Sequence, residues 1–150
     1  MPASLTRERM RLGDLQTSSR RTFVHIEDSA EDAYLMQGAF VECGADLTYQ
    51  WISDGTSAMS FIDGITSDSG AVGITFLIDV NIPLVNGIDI VRHLRAHTFL
   101  RRAPIIMLST SQQQFDQQLA LMHGAVEYVV KPGHVDGWVA LARHLDERYV

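Results

Sequence analysis

The sequence predicts one α/β domain, a doubly wound sheet of five parallel strands with helices on both faces. Three observations carry that expectation. Short apolar runs of strand length alternate five times with stretches of roughly ten to fifteen residues at helical spacing, the order that winds a parallel sheet through right-handed crossovers. The run Ile74 to Asp79 is apolar without alternation, as a strand covered on both faces must be. The chain has 150 residues, 46% apolar and 20% charged, and a domain of that length buries roughly 70% of its unfolded surface without a staple.

Thr22 to Glu27, TFVHIE, is β-branched and aromatic and stops at Glu27-Asp28-Ser29, where Asp28 or Ser29 can cap a helix and Asp32 suits its first turn. Ala33, Met36, Phe40 and Cys43 lie on one face of that helix, which Gly44 ends. Asp46 to Ile52 alternates, with Leu47, Tyr49 and Trp51 on one side, and reads as an edge strand. Gly55 to Asp63 is a short helix and Ser67 to Gly73 a loop. After the Asp79 strand, Asn81, Pro83 and Gly87 break the chain, and Gly87 to His97 is helical on Ile88, Ile90, Val91 and Leu94. Pro104 to Leu108 is a buried strand ending in Ser109-Thr110-Ser111, followed by a helix from Gln112 to His123. Ala125 to Val130 is the fifth strand, ending in Lys131-Pro132, and Val135 to Glu147 the last helix. The first strand is expected to be central, with the cleft where the chain reverses between strands one and three.

Charge is unevenly placed. The net of −6 divides into +3 over residues 1–21, which carry five arginines, and −9 over the rest. An acidic body argues against nucleic acid as its partner. The basic arm, 1–21, is expected to be a flexible or partner-binding segment outside the domain at 22–150. The start has no apolar core of signal-peptide length, no stretch approaches a membrane span, and Cys43 is the only cysteine, so the expected location is the cytoplasm, away from membranes.

Aligning the carboxyl ends of the strands gathers Glu27, Asp28, Asp79, Ser109 and Lys131 at one edge. Three carboxylates in one crevice repel and call for a hard cation, and Mg²⁺ fits because it takes one or two carboxylates plus phosphate oxygens. The backbone carbonyl of Asn81 is a further candidate ligand. Phosphoryl transfer needs a nucleophile in line and neutralised charge. Asp79 is the candidate nucleophile, forming an aspartyl phosphate, with the Ser109 hydroxyl and the Lys131 ammonium on the phosphoryl oxygens. Lys131 is the only lysine, against eleven arginines.

These residues resemble the receiver domains of two-component response regulators, over residues 22 to 150. The match rests on Glu27-Asp28, on Asp79 with Asn81, Pro83 and Gly87, on Ser109, and on Tyr128 with Lys131-Pro132. The resemblance implies a flavodoxin-like sheet of order 2-1-3-4-5. It implies that Glu27, Asp28, Asp79 and the Asn81 carbonyl hold Mg²⁺, and that Asp79 is phosphorylated by a histidine kinase. Ser109, Thr110 and Lys131 would then contact the phosphoryl group, Ser109 and Tyr128 would form the switch, and the Lys131–Pro132 bond would be cis. Ser109 stands where threonine is commoner, and Gly133 where a bulkier residue is frequent. The opening EDSAED and the segment His97 to Gln112 look most like the single-domain regulators paired with phytochrome kinases. A phytochrome is the partner this implies, with output through the fourth helix, fifth strand and fifth helix and a phosphorylation-linked homodimer.

Each residue also has a plain reading. Glu-Asp after a strand is commonly a helix cap, and Ser109 and Lys131 taken singly are turn and solvated residues. Four such residues at one sheet edge favour a site. His93 and His97, four apart on a helix, form a possible zinc pair, but with no third ligand in view they read as surface histidines. His25 reads as a core or edge residue. Phe115, Leu119, Met122, Trp138, Leu141 and Tyr149 are core or a self-association face. The rivals are a receiver-like scaffold that is never phosphorylated and a haloacid-dehalogenase-like phosphatase, which needs an acid where Asn81 stands. The chain is thus expected to be a self-phosphorylating acceptor rather than an enzyme, open to autodephosphorylation.

Overall fold

The structure is a computed structural model that describes residues 21–149. The basic arm, apart from Arg21, lies outside the described residues. Five strands form one parallel sheet of order β2-β1-β3-β4-β5: β1 Thr22–Ile26, β2 Thr48–Ile52, β3 Ile74–Asp79, β4 Ile105–Ser109 and β5 Glu127–Val130. The helices are α1 Ala30–Glu42, α2 Gly55–Asp63, α3 Asp68–Ala71, α4 Gly87–Ala96, α5 Gln114–Met122 and α6 Val135–Arg148. The doubly wound sheet expected from the alternation is present, with β1 interior and β2 at one edge.

Alternation within each strand decides which helices cover which face. Val24, Ile26, Phe76 and Ile78 meet α2, α4 and α5 through Ala58, Ile62, Ile90, Val91, Leu94 and Ala120. Phe23, Leu77, Ile106 and Leu108 face the other way, onto Met36 and Phe40 of α1 and Trp138, Leu141 and Leu145 of α6. All six residues of β3 are buried, as its unbroken apolar run requires. A fully buried side chain such as Phe76 or Leu77 contributes about 1.5–3 kcal/mol by leaving water.

Register then aligns the strand ends. Ile26 pairs with Ile78 and Ile52, Asp79 with Leu108, and Ser109 with Val130. Glu27, Asp79, Ser109 and Lys131 consequently share one edge of the sheet. At Gly87 the N-terminus of α4 returns onto this edge so closely that a Cβ there would overlap the carbonyl oxygen of Asp79 and stand 2.9 Å from Val80 Cα. Asn86 caps α4 through the Asp89 amide, 3.0 Å away.

Two local expectations need correction. Ser67 to Gly73, read as loop from its serines and glycines, contains the single turn α3, because the Ser67 hydroxyl caps it by accepting from the Gly70 amide at 3.1 Å. The fifth strand starts at Glu127, not Ala125, because the Ala125 amide closes the end of α5 on the Ala120 carbonyl. Among the described residues no helix is long and apolar enough to cross a membrane.

Candidate functional site

The acidic pair sits where β1 ends and α1 begins. Ser29 is the cap of α1: its hydroxyl accepts from the Asp32 amide at 3.2 Å, and its own amide donates to Glu27 Oε1 at 3.1 Å. This cap turns Glu27 inward, fully buried, and leaves Asp28 exposed. Asp79, 6% exposed at the end of β3, accepts the Asn81 amide on Oδ1 at 3.1 Å. One carboxylate oxygen from each of Glu27, Asp28 and Asp79 lies within 4.8 Å of the others.

Lys131, one residue past β5, closes the cluster. Its Nζ lies 2.7 Å from Glu27 Oε2, 2.8 Å from Asp32 Oδ2 and 3.2 Å from Asp79 Oδ2. The Glu27 contact is an ion pair without hydrogen-bond alignment, so Oε2 is a buried acceptor short of a good partner. Burial, with Asp79 beside it and against the pull of Lys131, raises the Glu27 carboxyl to about 8. Burial opposes the charge on Lys131 too, but Asp32, Glu27 and Asp79 outweigh it and hold the ammonium protonated well above the usual lysine range. The donor set fits a hard divalent cation: oxygen ligands only, more negative than positive charge, and an under-bonded carboxylate oxygen aimed into the crevice.

The other expected residues divide. Ser109 is buried, and its Oγ accepts from the Ser111 amide at 3.0 Å. Tyr128 donates its hydroxyl to the Ser111 carbonyl at 2.9 Å, so Ser109 and Tyr128 hold the same short segment. Thr110 and Asn81 are exposed at the rim. Pro132 departs from expectation, since no peptide bond among the described residues is cis. Trans is the intrinsically favoured X-Pro geometry, and it is compatible with the three contacts of Lys131. The zinc pair is excluded on contacts. His93 Nε2 is 2.7 Å from Asp63 Oδ1, while His97 Nδ1 accepts the Phe99 and Leu100 amides at 3.2 Å each. These three side chains form no metal-holding group among the described residues.

Sequence reasoning missed a second layer of support. Asp32 looked like a helix-dipole residue and is an ion-pair partner of Lys131 across 99 positions. Trp51, on the edge strand, donates its indole N–H to the Glu27 carbonyl at 2.6 Å. His25 is fully buried, with Nδ1 2.7 Å from the Tyr49 hydroxyl, and that hydroxyl donates to the Ala33 carbonyl at 3.1 Å. With the tyrosine hydrogen on Ala33, His25 carries its hydrogen on Nδ1 and presents bare Nε2 to Glu27 Oε2, 3.9 Å away. Burial, then the Lys131 charge, lowers the imidazole to about 3. Only the alternation of Tyr49 and Trp51 hinted at this, since it put both on one side of β2.

The chain is similar to known proteins. The sequence profile of the response regulator receiver domain matches residues 24–143. A crystal structure of a response regulator receiver domain from Rhodospirillum rubrum is 28% identical, covers 83% of this chain and 90% of its own, and superposes with a TM-score of 0.75. Response regulator RPA3017, in red light signaling of R. palustris, is 27% identical over 83% of this chain and 90% of its own, with a TM-score of 0.73. The response regulator protein PmrA of Pseudomonas aeruginosa is 30% identical over 122 residues, 79% of this chain and 51% of its own length. The chain therefore spans about half of PmrA. With the sheet order, the strand-edge acids and the lysine all in the same frame, the chain belongs to the response regulator receiver domain family.

Proposed function

We propose that the chain is a phospho-acceptor of two-component signalling in which Asp79 takes a phosphoryl group from a phosphohistidine of a histidine kinase. The observation that carries this is the Lys131 ammonium 3.2 Å from Asp79 Oδ2, beside two further acids at the same sheet edge. Glu27, Asp28 and Asp79, with the Asn81 carbonyl, would hold Mg²⁺, which neutralises charge on the phosphoryl oxygens when bound. A carboxylate oxygen of Asp79 forms the new bond to phosphorus as the phosphorus–nitrogen bond breaks, and the electron pair returns to the imidazole of the donor. Lys131 turns its ammonium from Asp79 to a phosphoryl oxygen, and Ser109 takes another, with Thr110 at the rim. The Ser109 hydroxyl then leaves the Ser111 amide. Because Tyr128 is bonded to the Ser111 carbonyl, its ring responds, and the surface of α5, β5 and α6 changes population.

That surface already exposes Phe115, Leu121, Met122 and Val126, which supports a phosphorylation-linked homodimer as output. A phytochrome-type kinase is the proposed donor, supported by the likeness to the red light regulator of R. palustris. A cytoplasmic location goes with that partner.

The test is intact mass after incubation with acetyl phosphate, with and without Mg²⁺, on the wild type and Asp79→Asn. One added phosphoryl group that requires both Mg²⁺ and Asp79 is expected. No adduct, with beryllofluoride also failing to bind, would replace this reading by an unphosphorylated scaffold.

A further inference from the structure

We propose that Asp32 is a positioning residue that holds the Lys131 ammonium clear of the metal-binding carboxylates, so that a divalent cation and, later, a phosphoryl group can enter. The inference rests on the reading of Asp79 and its neighbours as a Mg²⁺-dependent acceptor site.

Lys131 Nζ donates to Asp32 and Asp79 and lies 2.7 Å from Glu27 Oε2 as an ion pair without hydrogen-bond alignment. Two of these acids, Glu27 and Asp79, also belong to the trio that can hold a cation, so the pull of the ammonium on them competes with the metal. Asp32 alone stands outside that trio. It comes from the first turn of α1, its backbone fixed by the Ser29 cap, and its oxygen is 2.8 Å from Nζ with the two side chains 22% and 9% exposed. With Glu27 and Asp79 holding a cation, the ammonium would be displaced from both, and Asp32 is the acceptor that would stay available. Without it, the only carboxylates within 4.0 Å of Nζ are the metal's own. Asp32 thus gives Lys131 a fixed pivot from which it can swing to a phosphoryl oxygen on Asp79.

A purely structural role, in which Asp32 complements the positive end of α1, predicts a different pattern: lower stability and unchanged metal binding. The experiment separates them on the full chain. Mg²⁺ is titrated by calorimetry into the wild type, Asp32→Asn, Asp32→Glu, Lys131→Met and the double variant Asp32→Asn/Lys131→Met, each checked by thermal unfolding. Asp32→Asn is expected to weaken Mg²⁺ about fivefold, the size carried by a partly buried ion pair, while the same change in the Lys131→Met background has less than about a twofold effect. Asp32→Glu restores binding to within about twofold, because the carboxylate is kept.

Because Lys131 is the only lysine, lysine ¹⁵N labelling gives a single side-chain signal. It stays protected from solvent exchange when Mg²⁺ is added to the wild type and loses protection in Asp32→Asn. Equal loss of affinity with and without Lys131 would reduce Asp32 to a distant charge and overturn the proposal. So would unchanged affinity with a lowered melting temperature. A wild type that binds Mg²⁺ and takes the acetyl phosphate group while Asp32→Asn matches it sinks this inference alone. A wild type that does not bind Mg²⁺ sinks the acceptor reading as well.

Discussion

Lowering the pH from 7 to 5 acts on two buried neighbours in opposite directions. His25 titrates near 3 when folded against 6.5 when free, so in that window the unfolded chain takes up a proton that the folded chain refuses. Its contribution to stability is complete above 6.5 and falls with pH, by about 2 kcal/mol at pH 5 at about 1.4 kcal/mol per unit. Glu27 titrates near 8 when folded against 4.5 when free, so it binds its proton more tightly folded. Its contribution is complete below 4.5 and is lost as the pH rises through 8, so going from pH 7 to 5 adds stability. The two oppose one another. His25→Gln, which keeps a polar partner for Tyr49 but cannot titrate, should therefore gain more stability than the wild type on acidification, by about 2 kcal/mol. Urea unfolding of both proteins at pH 5 and 7, free of divalent cations and followed by circular dichroism, measures the difference. Parallel profiles for the two proteins would refute the reasoning, since they would mean that His25 does not stay neutral in the folded core.

Two further predictions concern the loop between β3 and α4. Gly87→Ala should cost about 1–3 kcal/mol and reduce the yield of the acetyl phosphate adduct, because its Cβ overlaps the Asp79 backbone and must push α4 away; unchanged melting and adduct yield would show that the helix has slack. Leu84 is the one non-glycine residue among those described with positive φ, +74°, at the centre of a γ-turn closed by the Val85 amide on the Pro83 carbonyl, and its side chain is 91% exposed. Relief of about 1–3 kcal/mol of strain exceeds the extra unfolded-state freedom of glycine, about 0.5–1 kcal/mol, so Leu84→Gly should raise the melting temperature, and a lowered one would place no strain there.

Much of the fold was legible because it depends on short-range pattern. Strand and helix alternate by apolar period, Gly44 and Gly87 mark helix boundaries, and the unalternating run Ile74 to Asp79, of strand length and followed by turn residues, reads as a buried strand of a parallel sheet. The one-turn helix at Asp68–Ala71 was not legible, because a single capped turn leaves too short a period to read.

The same division holds at the site. Residues at the carboxyl ends of strands are set by where each apolar run stops, so Glu27, Asp79, Ser109 and Lys131 could be assembled from the sequence by itself, and with them the kind of chemistry that three acids and one lysine support. What faces those residues is a matter of strand order, register and rotamer. The sheet order places Trp51 on the Glu27 carbonyl and His25 against Tyr49, and the crossover through α5 into β5 brings Lys131 to Asp32, 99 positions earlier. No periodicity encodes such pairs. They arise because parallel strands bring distant segments to one edge, where buried charge must find whatever partner the fold has put there.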